Sequence, residues 1–71
     1  METFAIEFGA HLRLLRRKAG LTQEEVAHSA GIHVTYLSGI ERGKRNPSLR
    51  NIQRIAVVLG IPVKGLFSFE A

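Results

Sequence analysis

The chain has 71 residues, ten of them Lys or Arg against six Asp or Glu, for a formal net charge of +4, and no cysteine. That length is expected to form one domain, residues 1–71, with no separate small-molecule effector domain; the missing cysteines exclude disulfides and thiolate metal sites. A basic balance on so small a domain points to an anionic partner, most often nucleic acid.

Helix one is expected from about Phe4 to Ala19, with Thr3 as its N-cap and Gly20 as its stop. Phe8, Leu12, Leu15 and Ala19 form its inward stripe, with Glu7, His11, Arg17 and Lys18 largely outside it. Thr22 opens helix two, and Thr22 with Glu25 has the spacing of a capping box. Val26, Ala27 and Ala30 are its apolar face, and Gly31 supplies the positive φ of a sharp turn. Helix three spans about His33 to Arg42 and stops at Gly43. A basic loop, Lys44 to Pro47, follows; Asn46, before proline, is expected to be extended. Ser48 caps helix four, Leu49 to Leu59, with Leu49, Ile52, Ile55, Ala56 and Leu59 facing inward. Gly60 closes it, and Pro62 suits the first turn of a fifth helix reaching about Phe69. The pattern is all-α, a compact five-helix domain.

Helices two and three, about residues 23–42, are joined at Gly31 with almost nothing between them. Two such helices crossing at roughly 90–120° form a helix-turn-helix, which presents the second helix to a DNA major groove. At about 100° per residue, Leu37 and Ile40 mark the buried side of helix three. The opposite arc collects Val34, Thr35, Ser38, Gly39 and Arg42. Val34 and the Thr35 methyl suit thymine methyls, and the Thr35 and Ser38 hydroxyls suit a base edge. Arg42 is placed for phosphate or guanine. Tyr36 lies on the flank and His33 at the start, each within the reach of a phosphate. Thr22 opens helix two, where a helix N-terminus favours an anion. From Arg42 to Arg54 there are five basic residues and no acidic one. Lys44, Arg45, Asn46 and Arg50 extend a phosphate track along that run, while Arg54 reads more simply as solvated. Gly39 stands out, because glycine inside a helix costs about 1 kcal/mol against alanine.

The runs Leu21-Thr22-Gln23-Glu24-Glu25-Val26-Ala27, Gly31-Ile32 and Ile40-Glu41-Arg42-Gly43, followed by Asn46-Pro47-Ser48-Leu49, resemble the Xre-like, lambdoid phage-repressor family of helix-turn-helix regulators. The resemblance runs from about Phe8 to Phe67. The segment from Thr35 to Arg42 is similar to the recognition segment of small controller proteins in restriction–modification systems. The resemblance implies a phage-repressor-like fold and a transcriptional regulator. It implies an ion pair between Arg16 and Glu41 that ties helix one to helix three. It also gives Gln23 the task of holding a phosphate and bracing the recognition helix. In the phage repressors a long polar side chain at the position of Gly39 often reads a base, so its absence points to close backbone approach or to less direct readout there.

Double-stranded DNA is the expected partner. A second copy of the chain is the other, through Val57, Val63, Phe67 and Phe69, with residues 62–69 as the dimer element. A two-fold dimer sets two recognition helices about 34–36 Å apart, matching a palindromic site. RNA polymerase joins the partners if binding activates transcription, with Glu24 and Glu25 as the available carboxylates. The rival reading from another class is an antitoxin-type module of the same fold that sequesters a protein. An enzyme is disfavoured: the chain lacks Asp, Cys and Trp, its three histidines fit no zinc spacing, and no phosphate-binding loop follows a strand. No cofactor is expected. With no leader pattern and no apolar run of spanning length, the expected location is the cytoplasm, away from membrane.

Overall fold

The computed structural model describes residues 3–69. Four α-helices and one short 3-10 turn follow in order: α1 (Thr3–Lys18), α2 (Gln23–Ala30), α3 (Val34–Glu41), α4 (Leu49–Leu59) and the turn Val63–Phe67. No strand occurs among the described residues. α1 packs on α3, α2 on both α3 and α4, and the 3-10 turn on α1 and α4.

The four helices stop in the same way. The residue after each stop glycine returns its N–H to the carbonyl five positions back: Leu21 to Arg16, Ile32 to Ala27, Lys44 to Gly39 and Ile61 to Ala56. This closure satisfies carbonyls that the helix end would leave unpaired, and it requires a left-handed residue before the donor. At Gly31, φ is 72°, and the chain turns directly from α2 into α3. At Gly43, φ is 74°, and a side chain would also strike the Ile6 backbone, so α1 passes close to the end of α3. Gly9 makes the same contact from the other side. A Cβ there would lie 2.3 Å from the Ile40 carbonyl oxygen, inside any permissible contact distance.

The helix starts are equally explicit. Glu25 N–H donates to Thr22 Oγ1 at 3.1 Å, and Thr22 N–H donates to Glu25 Oε1 at 2.8 Å, a complete capping box. Asn51 N–H donates to Ser48 Oγ at 3.1 Å. α3 begins at His33 with no side-chain cap. Thr3 already belongs to α1, so it is not that helix's N-cap.

The core is one cluster built on Phe8, Leu12, Val26, Leu37, Ile40, Ile55 and Leu66, with Ala27, Ala30 and Ala56 where helices cross. Several inward assignments were too generous. Leu49, in the first turn of α4, is 85% exposed and takes no part in the core. Leu15 and Leu59 are half-buried, and Ala19 is exposed past the end of α1. Arg16 occupies the interior in their place.

The expected fifth α-helix is not formed. Val63–Phe67 is a 3-10 turn entered from Pro62, with Gly65 N–H donating to the Pro62 carbonyl at 2.8 Å. Five residues close too few i to i−4 bonds to sustain an α-helix. The turn is anchored instead by Leu66, which is fully buried, and by His11 Nε2 at 2.9 Å from the Gly65 carbonyl oxygen. His11 therefore faces the turn rather than open solvent.

Candidate nucleic-acid interface

α3 presents two unlike sides. Leu37 and Ile40 are buried, while Val34, Thr35 and Arg42 are exposed and Ser38 is half-buried on the other side. The exposed side mixes a methyl-bearing surface with two hydroxyls and a guanidinium, a set able to meet both methyl groups and hydrogen-bonding edges. Val34, at 37% exposure, is open enough to touch a partner while its backbone stays in the helix.

The pose of α3 is set from its last residue. Arg16 Nε lies 2.7 Å from Glu41 Oε2, and Arg16 Nη2 donates to Glu41 Oε1 at 3.1 Å. Gln23 Nε2 donates to the same Oε1 at 2.9 Å, and Arg16 Nη1 donates to the Leu21 carbonyl at 2.8 Å. Arg16 on α1 and Gln23 on α2 thus converge on Glu41 at the end of α3. The hydrogen bond to Glu41 holds the Arg16 guanidinium above its ordinary range, against the opposing effect of burial. A two-point contact of planar groups fixes direction as well as distance.

Gln23 stands in the first turn of α2 beside exposed Thr22, its carboxamide already half engaged by Glu41. One N–H and the carboxamide oxygen are left for another group. At the far end of α3, Tyr36 Oη donates to the Asn46 carbonyl at 3.3 Å and accepts from Asn51 Nδ2 at 3.4 Å. Tyr36 thereby ties α3 to the following loop and to α4. Lys44, Arg45 and Asn46 are exposed in that loop, as are His33 and Arg50. His33, Tyr36, Ser48, Arg50 and Arg54 line one open concavity between the starts of α3 and α4. Arg54, read as merely solvated, lies on the same wall.

Of the two expectations for Gly39, burial speaks against close backbone approach and leaves less direct readout. Gly39 is buried, covered by the side chain of Arg45, so no open surface remains at this position of the recognition arc.

The expected dimer residues do not form one stripe. Phe67 and Phe69 pack on α1: Phe67 is 5.0 Å from Phe8 and 6.5 Å from Phe4 between ring centroids, and Phe69 is 5.5 Å from Phe4. Phe4, expected only as the start of helix one, joins this aromatic group and is 51% exposed. A cleft of about 260 Å³ runs from Phe4, Phe8 and Phe67 to Arg45, Asn46 and Pro47. Val63 is 42% exposed. Val57, 74% exposed, lines a different concavity with His28, Ser29 and Gly31.

Among the described residues, no three His, Cys, Asp or Glu side chains gather to hold a metal, and no helix is long and apolar enough to cross a membrane.

A helix-turn-helix family profile matches residues 12–66. The control protein C.BamHI of Bacillus amyloliquefaciens is 44% identical over 63 residues, 87% of this chain and 78% of that one. The control protein C.MunI of a Mycoplasma species is 45% identical over 69 residues, 96% of this chain and 93% of that one. Among solved structures, the restriction–modification controller protein C.AhdI of Aeromonas hydrophila superposes with a TM-score of 0.87 at 44% identity. That match covers 89% of this chain and 96% of C.AhdI.

Proposed function

The chain belongs to the Xre-type helix-turn-helix family, and from that premise we propose that it is a sequence-specific DNA-binding transcriptional regulator of the restriction–modification controller kind. It acts as a homodimer on a palindromic operator. Val34, Thr35 and Ser38 meet base edges in the major groove. Thr22, Gln23, His33, Tyr36, Arg42, Lys44, Asn46 and Arg50 hold the phosphates on either side.

The observation that carries this reading is the exposed face of α3, fixed in pose by the buried convergence of Arg16 and Gln23 on Glu41. Direct readout needs side chains held to within a fraction of a bond length, and a helix pinned at its end through charged hydrogen bonds meets that demand. The exposed cations of the neighbouring loop supply the sequence-independent attraction. An aromatic patch in which Phe4 and Phe67 stay partly open supports pairing of two copies.

Selection of binding sites from random duplexes tests the proposal. The expected result is an enriched sequence with two-fold symmetry, bound by a dimer in sedimentation. Recovery of no preferred sequence, with a stoichiometric protein partner in its place, overturns it in favour of the sequestering module.

A further inference from the structure

α1 meets the end of α3 at two points on one face. Gly9 and Arg16 are seven positions apart, which places them within about 20° of each other around the helix axis. Arg16 holds the Glu41 carboxylate, with Nε 2.7 Å from Oε2. Gly9 lies against the backbone of the same residue. A Cβ on Gly9 would fall 2.3 Å from the Ile40 carbonyl oxygen, 2.5 Å from the Glu41 carbonyl oxygen and 2.7 Å from the Glu41 carbonyl carbon. Gly9 is buried inside α1 with no positive φ, so its conformation is open to any residue and alanine would favour the helix. What glycine supplies here is the approach of one main chain to another.

The chain reversal after α3 repeats the contact. At Gly43 a Cβ would fall 2.8 Å from Ile6 Cα and 3.0 Å from Ile6 N. Ile6 and Gly9 are neighbours one turn apart on α1. Main chain therefore touches main chain through a glycine on each segment, and no change of rotamer relieves such a contact. The ion pair fixes the direction of α3, and the glycine contact fixes its distance from α1.

The distances say how much depends on it. An ordinary carbon–oxygen contact is about 3.3 Å, so a methyl on Gly9 would have to move the end of α3 by about 1 Å. The start of α3 is held by the turn at left-handed Gly31, so that movement becomes a tilt. Over an eight-residue helix, about 12 Å long, the tilt is roughly 5°. A recognition constellation tolerates only about 0.5 Å.

We propose that Gly9 is a positioning residue for DNA readout. By admitting the Ile40 and Glu41 carbonyls to contact with α1, it sets the tilt at which Thr35 and Ser38 enter the groove, without itself touching DNA. This inference rests on the reading of the chain as a sequence-specific DNA-binding regulator.

The test compares affinity for the operator selected by the unaltered protein with affinity for a scrambled duplex of equal length, at a temperature where each variant is folded. If the unaltered protein selects no sequence, the functional reading itself fails. With an operator in hand, Gly9→Ala should lose about 10- to 100-fold on it, the scale of a misplaced base contact. Binding to the scrambled duplex, which depends on charge, should stay within about twofold. Gly43→Ala should shift the ratio of the two affinities in the same direction. Gly20→Ala and Gly60→Ala are the controls. Their φ values of 74° and 70° give them the same backbone strain as Gly43, yet a Cβ at either meets nothing within 4 Å. Both should melt lower and keep the ratio of the unaltered protein. Two outcomes overturn the proposal. One is a folded Gly9→Ala protein whose ratio is unchanged, whatever its melting temperature. The other is a control that shifts the ratio as far as Gly43→Ala does, which assigns the effect to backbone strain. Should Gly9→Ala fail to fold, Gly43→Ala against the two controls decides alone.

Discussion

At the carboxyl end of α3, three polar side chains meet in fixed directions, with Glu41 receiving Arg16 and Gln23 at 2.7–3.1 Å. At the amino end of α1, four phenylalanine rings meet at 5.0–6.5 Å, with interplanar angles from 13° to 67°. The first region is buried and directional; the second is half open and tolerant of angle. The difference fits the two roles proposed for these regions, base readout and pairing. A helix that reads bases has to be held in one pose, and charged hydrogen bonds specify a pose. A surface that meets a second copy needs area and adaptability, which aromatic rings supply.

The largest expected effect breaks the directional region. Glu41→Ala leaves the Arg16 guanidinium buried without its counter-ion, and should lower unfolding stability by about 3–5 kcal/mol. That is a large share of the roughly 5–15 kcal/mol available to a domain. Replacing both partners, Arg16→Met with Glu41→Leu, should cost much less in a urea titration yet still weaken operator binding, because Gln23 loses its anchor. A double variant as unstable as Glu41→Ala would show that the pair contributes more than mutual neutralisation.

The aromatic region should respond more softly and in two separable ways. Phe67→Ala removes contacts to both Phe4 and Phe8 from a ring that is 39% exposed, and should cost about 2 kcal/mol in thermal unfolding. Val63→Glu, at a site outside the ring cluster, should leave the fold intact and yield a monomer at micromolar concentration in sedimentation. Operator affinity falls with it. If Val63→Glu still dimerises, the pairing surface lies elsewhere, with exposed Val57 the next residue to alter.

A finer comparison lies within the proposed DNA-facing side itself. Thr35→Ala should change sequence preference by about 1–3 kcal/mol at one base pair, whereas Lys44→Ala should weaken every sequence alike and reduce the salt slope by about one. Equal losses on all duplexes after Thr35→Ala would remove it from base readout. The smallest effect is expected at the cap of α4. Ser48→Ala forfeits one hydrogen bond to Asn51 N–H and should cost about 1 kcal/mol, readable as a small drop in melting temperature.

Much of this molecule was local and therefore legible in the chain. Thr22 with Glu25, Ser48, and the glycines after α1 to α4 act within a few residues of themselves, so spacing alone locates the helix ends. The buried stripe of α3, Leu37 and Ile40, follows from helical period in the same way. The partnership of Arg16 with Glu41, 25 residues apart, came from family resemblance and not from spacing. Leu49 shows the limit of periodicity: it has the right phase for the core, yet it is 85% exposed, because phase does not say whether another segment covers a residue. Residues 63–69 show another, since Val63, Phe67 and Phe69 read along the chain as an exposed apolar stripe, whereas Phe67 and Phe69 lie against α1. Gly9 carries no local signal for the same reason, and Gly39 stands out in the chain without showing what fills its space. Each is defined by what approaches it from elsewhere, the Ile40 carbonyl in one case and the Arg45 stem in the other. The sequence by itself determined the caps of α2 and α4, the glycine stops, the buried face of α3 and the helix-turn-helix, because those depend on bonds and periods within one segment. Only the tertiary structure decided which apolar residues stayed open, which polar groups met, and which glycine made room for a neighbour, because those depend on distances between segments that no local pattern encodes.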